Sequence, residues 1–248
     1  MNSTGSAAHT HISVHSGRVK KDHLQLSTVE KSFLAGVMAH LPSLPALTLP
    51  IPASYKRVGD GVWSGGTYVC WGTENREAPV RLTNSASPSS RRFEMRYIDG
   101  TANPYLVLAG ILGAGYLGIR SNLELTTSDC PGPKSAAQMS EDERHALGIT
   151  KRLPLSWNEA RERFASNTQL SEILGMDFQE KYLSVNKVRG FLYLSYLLTK
   201  SFLSCFRFWR RLLIRMKMRR RNWSVWFNFT RCSLLLIHHF HLPLRLPK

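Results

Sequence analysis

One stretch of this chain, residues 92–99, begins with six side chains that alternate between charged and apolar with period two. Successive side chains of a β-strand point to opposite faces, so the pattern predicts a strand with Arg92, Glu94 and Arg96 on one face. The following Gly-Thr-Ala-Asn-Pro sequence at 100–104 predicts a turn and a helix start. A solvated surface strand is one interpretation. We favour a functional face, because a carboxylate between two guanidiniums suits a site that binds a cation beside anionic groups.

The charge of the chain is distributed unevenly. Residues 1–184 contain 19 Lys+Arg and 17 Asp+Glu, whereas residues 185–248 contain 14 Lys+Arg and no Asp or Glu. The first part is an ordinary globular sequence that is long enough to bury a core. We therefore predict one partial domain over 1–188 and a basic, apolar tail over 189–248, disordered or helical.

Two interpretations of this tail are open. It has no acidic residue and no clear helix caps, which favours translated intron or frameshifted sequence. The alternative is a basic amphipathic segment that binds nucleic acid or an anionic membrane surface. We expect no nucleic-acid partner.

Cysteine usage and hydropathy indicate an intracellular protein. Cys70, Cys130, Cys205 and Cys232 are far apart and form no CxxC pair, which favours reduced thiols. The polar N-terminus does not look like a signal peptide. The uncharged stretch at 105–119 is about 15 residues long, short of the roughly 20 that a membrane span needs. We expect a cytoplasmic protein with no membrane span.

Helix signals alternate with strand signals. Ser27 with Glu30 forms a capping box before an amphipathic helix that ends near residue 41. Asn103 begins a second helix, with proline at its first position and small residues that suit close packing of neighbouring backbones. Capping boxes at Ser140 and Ser156 predict two more helices, and 177–186 a further one. The predicted fold class is α+β, an antiparallel β-sheet with packed helices.

Three further segments carry candidate functional groups. His9, His11 and Ser13 share one strand face, where two imidazoles can meet a metal or a phosphate. The basic, then Gly-rich, loop at 54–61 is either a surface turn or a flap over a bound anion. Arg76 and Arg81 are five residues apart, which is the wrong parity for one strand face, so we expect one of them in a loop.

Taken in order, these segments resemble the catalytic domain of glutamine synthetase, and in particular its type I-like, fungal FluG-type branch. The resemblance covers about residues 5–187. Its matching segments are Gly-Ser-Ala-Ala-His-Thr-His-Ile-Ser at 5–13, Ser-Tyr-Lys-Arg at 54–57, Asn75-Arg76 with Arg81, Arg-Phe-Glu-Met-Arg at 92–96, and Asp99 with Ala-Asn-Pro-Tyr-Leu at 102–106.

The resemblance implies an ATP-dependent carboxylate–amine ligase of glutamine biosynthesis and nitrogen metabolism. Such an enzyme moves the γ-phosphoryl of ATP to a side-chain carboxylate, normally that of glutamate, and ammonia then displaces the phosphate. It implies ATP and Mg²⁺ or Mn²⁺ as cofactors, glutamate or a related carboxylate and ammonia or an amine as substrates, and homo-oligomeric rings.

The resemblance also implies a role for each matching side chain. The implied metal ligands are His9 and Glu94. The implied substrate contacts are Gly5, Arg57 and Arg96. The implied nucleotide contacts are His11, Ser13, Arg76, Arg81 and Arg92, and Arg76 is also the catalytic group that reaches the transferring phosphoryl.

The chain departs from the family pattern at several points. Thr4 stands where an asparagine is usual, and Trp63 stands where a flap glutamate normally guards the ammonium site. The family's N-terminal β-domain and its glutamate-bearing metal strands have no counterpart. We therefore expect a truncated form that binds metal weakly and is inactive or nearly so. The alternatives are a catalytically dead regulatory or binding module and a basic nucleic-acid or membrane-binding protein that uses the tail.

Overall fold

The computed structural model describes residues 7–15, 25–61, 65–188, 190–193 and 195–196. The chain divides into two compact units, residues 1–195 and 196–248, and the described residues belong to the first unit except for residue 196. The predictions made for the basic tail fall almost wholly outside the described residues.

The described part combines four strands with six labelled α-helices and a further helical segment. The strands are β1 (Ala7–Ile12), β2 (Trp71–Thr73), β3 (Val80–Thr83) and β4 (Arg92–Asp99). The helices are α1 (Thr28–His40), α2 (Pro45–Thr48), α3 (Pro104–Arg120), α4 (Glu141–Ala146), α5 (Trp157–Ala165) and α6 (Thr168–Leu174). Two short 3-10 helices span Ser54–Arg57 and Ala136–Gln138. Residues 176–188 are helical as well.

The four strands form one sheet in the order β1-β4-β3-β2, so β4 lies between β1 and β3. β4 is antiparallel to both of these neighbours, whereas β2 runs parallel to β3. The predicted α+β class is confirmed, but the sheet is mixed. Parallel neighbours normally need a long crossover. Here β2 has only three residues, so the loop at 74–79 is long enough to bring the chain back to the N-terminal end of β2, where β3 begins.

The core lies between this sheet and the helices α1 and α3. Phe33 of α1 stacks on Phe93 of β4 with ring centroids 5.9 Å apart, and Met95 of β4 is fully buried. α1 and α3 meet backbone to backbone: a Cβ added to Gly118 would lie 2.0 Å from the Ser32 carbonyl oxygen. The prediction that the small residues of α3 permit close backbone approach is confirmed.

The predicted helix starts agree with the structure at all four positions, including Ser156, whose hydroxyl accepts from the Glu159 amide at the start of α5. The capping boxes at Ser27 and Ser140 form as expected, and Asn103 accepts a hydrogen bond from the Tyr105 amide. The reciprocal bond predicted at Ser156 is wrong, because the Glu159 carboxylate accepts from the Leu155 amide instead. In the described part of the chain, no helix combines the length and the apolar character that crossing a bilayer requires.

Candidate active site

Glu94 lies at the centre of the sheet face that carries the charged side chains. It pairs in register with His11 on β1 and with Arg81 on β3. The two faces predicted for β4 are observed, since Phe93 and Met95 lie in the hydrophobic core whereas Glu94 and Arg96 contact each other. Glu94 itself is only 3% exposed, so its charge must be compensated by neighbouring groups.

Three side chains from three strands contact the Glu94 carboxylate. Its Oε1 lies 2.7 Å from Nη1 of Arg96 on β4 and 2.9 Å from Nδ1 of His9 on β1. Its Oε2 lies 3.1 Å from Nη1 of Arg81 on β3. Both oxygens are therefore engaged, which satisfies a carboxylate that water scarcely reaches.

A break in the pairing between β1 and β4 brings His9 to Glu94. The register slips between Ala8 and Thr10, as at a β-bulge, so His9 has no single partner across the ladder. Burial and the nearby Arg96 charge lower the pKa of His9, and together they outweigh the opposing effect of Glu94. The imidazole is therefore neutral at neutral pH, the form that can coordinate a metal.

His9 and Glu94 fit two neighbouring positions of a metal coordination sphere. Metal–ligand bonds of about 2.0–2.2 Å place adjacent ligands of one ion about 3 Å apart. The separation of 2.9 Å between His9 Nδ1 and Glu94 Oε1 matches this spacing. Among the described residues, no group of three or more His, Cys, Asp or Glu side chains forms. The pair can thus supply part of a coordination sphere.

Glu74 is a member of the site that the sequence interpretation missed. It lies in the loop after β2 and forms an ion pair with Arg81, while its Oε1 accepts from the Asn84 amide at 2.8 Å. Although burial opposes it, hydrogen bonding to Glu74 and the charges of Glu74 and Glu94 raise the pKa of Arg81. Glu74 has a positive φ of 53° and follows no strand period, so no periodic signal marks it.

Asp99 at the end of β4 is the second residue whose role the sequence interpretation missed, since it forms an ion pair with Arg57. Its Oδ2 lies 2.6 Å from Nη2 of Arg57, and its Oδ1 accepts from the Thr101 amide at 2.8 Å. Burial opposes ionisation, but hydrogen bonds and the Arg57 charge outweigh it and lower the pKa of Asp99. The carboxylate fixes Arg57 beside the strand that carries Glu94 and Arg96.

The remaining candidates lie around this cluster. Arg81 is in β3 and Arg76 in the loop before it, which confirms the parity argument. The Arg76 side chain is exposed, and its carbonyl oxygen accepts from Arg96 Nε at 2.9 Å. His11 is also exposed, and Ser13 Oγ is 3.5 Å from the Arg91 carbonyl oxygen. Two positions, Gly5 and Trp63, lie outside the described residues.

The cluster therefore joins four of the sequence-predicted residues, with the guanidinium groups of Arg81 and Arg96 both on the Glu94 carboxylate. Bidentate guanidinium groups are suited to carboxylate and phosphate oxygens. The arrangement can hold an anion against Arg81 and Arg96, with a cation beside it at His9 and Glu94.

Comparisons with known proteins agree on one family. The sequence profile described as "Glutamine synthetase, catalytic domain" matches residues 1–190. Protein fluG of Emericella nidulans is 42% identical over 186 residues, which are 75% of this chain and 20% of fluG. Glutamine synthetase of Rhizobium leguminosarum bv. phaseoli is 36% identical over 206 residues, 78% of this chain and 44% of that protein.

Two further comparisons extend this set. A gamma-glutamylpolyamine synthetase of Streptomyces coelicolor is 33% identical over 191 residues, 73% of this chain and 40% of that protein. A crystal structure described as a novel glutamine synthase homolog superposes with a TM-score of 0.52 and 31% identity, covering 68% of this chain and 36% of that one. The chain thus spans a fifth to less than half of the length of these relatives.

Proposed function

Because the chain belongs to the glutamine synthetase family, through that family's catalytic domain, we propose that it carries the phosphoryl-transfer site of an ATP-dependent carboxylate–amine ligase. The γ-phosphoryl group passes from ATP to a side-chain carboxylate, and an amine then attacks the acyl phosphate carbon and releases phosphate. Glutamate and ammonia are the proposed substrates, and glutamine is the product.

One observation carries the proposal: His9, Arg81 and Arg96, from three different strands, converge on Glu94 within 3.1 Å. Phosphoryl transfer depends mostly on positioning and on neutralising charge on the phosphoryl oxygens. A rigid sheet that presents guanidiniums beside a cation site supplies both requirements.

Each arginine has a proposed task, which the resemblance to the family implies. Arg81 and the exposed Arg92 hold phosphate oxygens of the nucleotide, with His11 and Ser13 as further contacts. Arg76 reaches the transferring phosphoryl from the loop before β3. Arg57 and Arg96 hold carboxylates of the substrate, with the Gly5 backbone as a further contact, and Asp99 keeps the Arg57 guanidinium in place.

His9 and Glu94 are the proposed ligands of the divalent cation, Mg²⁺ or Mn²⁺. When bound, this cation supplies charge neutralisation at the phosphoryl oxygens. Burial and Arg96 lower the pKa of His9, so the imidazole is neutral at neutral pH, the form in which it can serve as a metal ligand.

Trp63 leaves the identity of the amine open, because it stands where the family usually has a flap glutamate. Without that carboxylate, deprotonation of ammonium loses its usual base. The relative from Streptomyces coelicolor is named for a polyamine substrate, so we propose a larger amine as the second candidate nucleophile. We also propose that the working protein is a homo-oligomer, as in the family's rings.

The alternative proposal is a binding module of the same family that retains ligands but no longer turns over. It is favoured by the two-residue cation site of the described part and by Trp63. This alternative predicts nucleotide binding without product formation.

The test is a coupled measurement of ATP binding and product formation on the purified full chain. Calorimetry with ATP and Mg²⁺ gives affinity, and mass spectrometry detects γ-glutamyl products with ammonium or putrescine. We expect Arg81→Met to lower the affinity for ATP at least about tenfold, because charge-assisted phosphate contacts contribute about 1.5–3 kcal/mol to binding. Arg163→Met is the matched control, since among the described residues that arginine forms its ion pair with Glu159 on the surface of α5.

The three possible outcomes are distinct. ATP binding with turnover that depends on Arg81 supports the ligase. ATP binding with the same dependence but without turnover supports the binding module. Absence of ATP binding, or equal effects of Arg81→Met and Arg163→Met, rules out both proposals.

A further inference from the structure

The Glu94 carboxylate has more prospective partners than oxygen atoms. Oε1 is shared by Arg96 at 2.7 Å and His9 at 2.9 Å, while Oε2 accepts from Arg81 at 3.1 Å. A divalent cation seated between His9 and Oε1 would coordinate the same oxygen to which Arg96 donates. It would also place two positive charges beside that guanidinium.

We propose that a divalent cation and the Arg96 guanidinium compete for Glu94, so that binding of a cation at His9–Glu94 and binding of an oxyanion at Arg96 favour each other. The inference rests on the proposed function for the cation site, but it concerns a coupling between two sites rather than the reaction. The oxyanion class is a small carboxylate, sulfate or phosphate group.

Of the two arginines that contact Glu94, Arg96 is the one that competes with the cation, because Arg81 has a second carboxylate partner. Arg81 also pairs with Glu74, so it keeps a carboxylate partner when Glu94 is taken by a cation. Arg96 pairs with no second carboxylate among the described residues, and its other hydrogen bond goes to the Arg76 carbonyl oxygen. Its side chain is only 9% exposed. A guanidinium that loses its counter-ion in such a place binds an incoming anion strongly.

The two binding events are linked reciprocally. An anion that pairs with Arg96 releases Oε1 for the cation, and a cation on Oε1 releases Arg96 for the anion. Thermodynamic linkage requires the same factor in both directions, typically about 5–150-fold for coupled sites. Without an anion, the guanidinium holds the carboxylate and keeps cation affinity low.

The test is titration of the purified full chain with Mn²⁺, in which electron paramagnetic resonance measures free Mn²⁺. Titrations are run in sodium chloride and in sodium sulfate at equal ionic strength and fixed pH. We expect sulfate to tighten Mn²⁺ binding at least about fivefold. Arg96→Met should bind Mn²⁺ more tightly than the original chain in chloride and should no longer respond to sulfate.

Arg92→Met is the matched control. Arg92 and Arg96 lie two residues on either side of Glu94 on the same face of β4, so each substitution removes one positive charge from that face. Arg92 is exposed and forms no ion pair with Glu94. We expect Arg92→Met to change Mn²⁺ affinity less and to retain the sulfate response. Circular dichroism checks that each variant is folded.

Equal behaviour of Arg96→Met and Arg92→Met would overturn the competition, because a general field effect would then explain both. An unchanged Mn²⁺ affinity in His9→Ala, or no Mn²⁺ binding in any variant, would also overturn it. None of these measurements uses nucleotide. If ATP binding still depends on Arg81 while the Arg96 and Arg92 variants behave alike, the proposed function stands and this inference fails.

Discussion

At the scale of single residues, the most deeply buried ion pair of the described part involves neither Glu94 nor the three side chains that contact it. Arg91, just before β4, donates from Nε and Nη2 to the two oxygens of Glu30 in α1 at 3.0 and 2.8 Å. Both side chains are at most 3% exposed. The pair joins the first turn of α1 to the central strand, and it thereby helps to fix the strand that carries Glu94.

We predict that Glu30→Gln lowers the free energy of unfolding by about 3 kcal/mol, because it leaves the Arg91 guanidinium buried without a counter-ion. Urea denaturation of the full chain measures the change. Glu159→Gln is the control, since it breaks an exposed pair with Arg163 and should cost about 0–1 kcal/mol. Similar losses in the two variants would mean that the Arg91 charge is compensated by other groups.

The same residue scale shows what the sequence could and could not predict. Alternation along 92–99 was enough to place Arg92, Glu94 and Arg96 on one face, because that relation is local. The pairing of Arg91 with Glu30 spans 61 positions and depends on how α1 packs on the sheet. Likewise, His9 reaches Glu94 only because β1 slips in register, and a slip in pairing leaves no periodic trace in one strand.

At the scale of elements, α1 and α3 approach so closely that side chains are excluded from the contact. A Cβ on Gly118 would meet the Ser32 carbonyl oxygen at 2.0 Å and the Gly36 backbone at 2.7 Å. Backbone atoms in the middle of two packed helices cannot move without displacing the helices. The contact therefore sets the distance between α3 and α1.

We predict that Gly118→Ala destabilises the protein by about 1–3 kcal/mol through overpacking, despite the better helix propensity of alanine. Gly113→Ala in the same helix is the matched control. Within the described part of the chain, its Cβ would meet the Cγ2 of Ile173 at 3.0 Å and no other atom within 4 Å, and a side chain can turn aside. We expect that control to stay within about 1 kcal/mol of the original chain. Thermal unfolding compares them, and an unchanged Gly118→Ala would contradict the packing argument.

Element starts were predictable because capping is local, as at Ser27 and Asn103. Strand direction was not. Nothing between residues 71 and 83 signals that β2 runs parallel to β3, since that arrangement depends on the very short β2 and on the path of loop 74–79. The prediction of an antiparallel sheet therefore holds for β1, β4 and β3 and misses the parallel pair of β2 and β3.

At the scale of the whole molecule, stability should depend on pH through a buried histidine. His40, the last residue of α1, is 6% exposed. Its Nδ1 lies 3.0 Å from the side-chain nitrogen Nδ2 of Asn167, the residue just before α6. Burial lowers the pKa of His40 below its ordinary value of 6.5, although the Asn167 contact opposes the shift. The unfolded chain therefore takes up this proton at higher pH than the folded one, so stability falls as pH drops below 6.5.

We predict that the free energy of unfolding of the original chain decreases as the pH falls from 7.5 to 5. In His40→Gln this decrease should be smaller, because the contribution of His40 protonation is gone. Glu30 and Asp99 do not interfere in this window, because their pKa values lie below the ordinary 4.5 and 3.8. His9, whose pKa is also lowered, leaves a smaller residual slope, since it is more exposed than His40.

His145→Gln is the control for that measurement, because this side chain is 62% exposed on α4 and its removal leaves the core untouched. Urea midpoints at several pH values between 7.5 and 5 give the slopes. A slope that His40→Gln and His145→Gln leave equally steep would show that the α1–α6 contact at Asn167 accommodates the charged imidazole. The acid sensitivity of the fold would then arise elsewhere than at the packing of α1, the helix on which the sheet and its charged face depend.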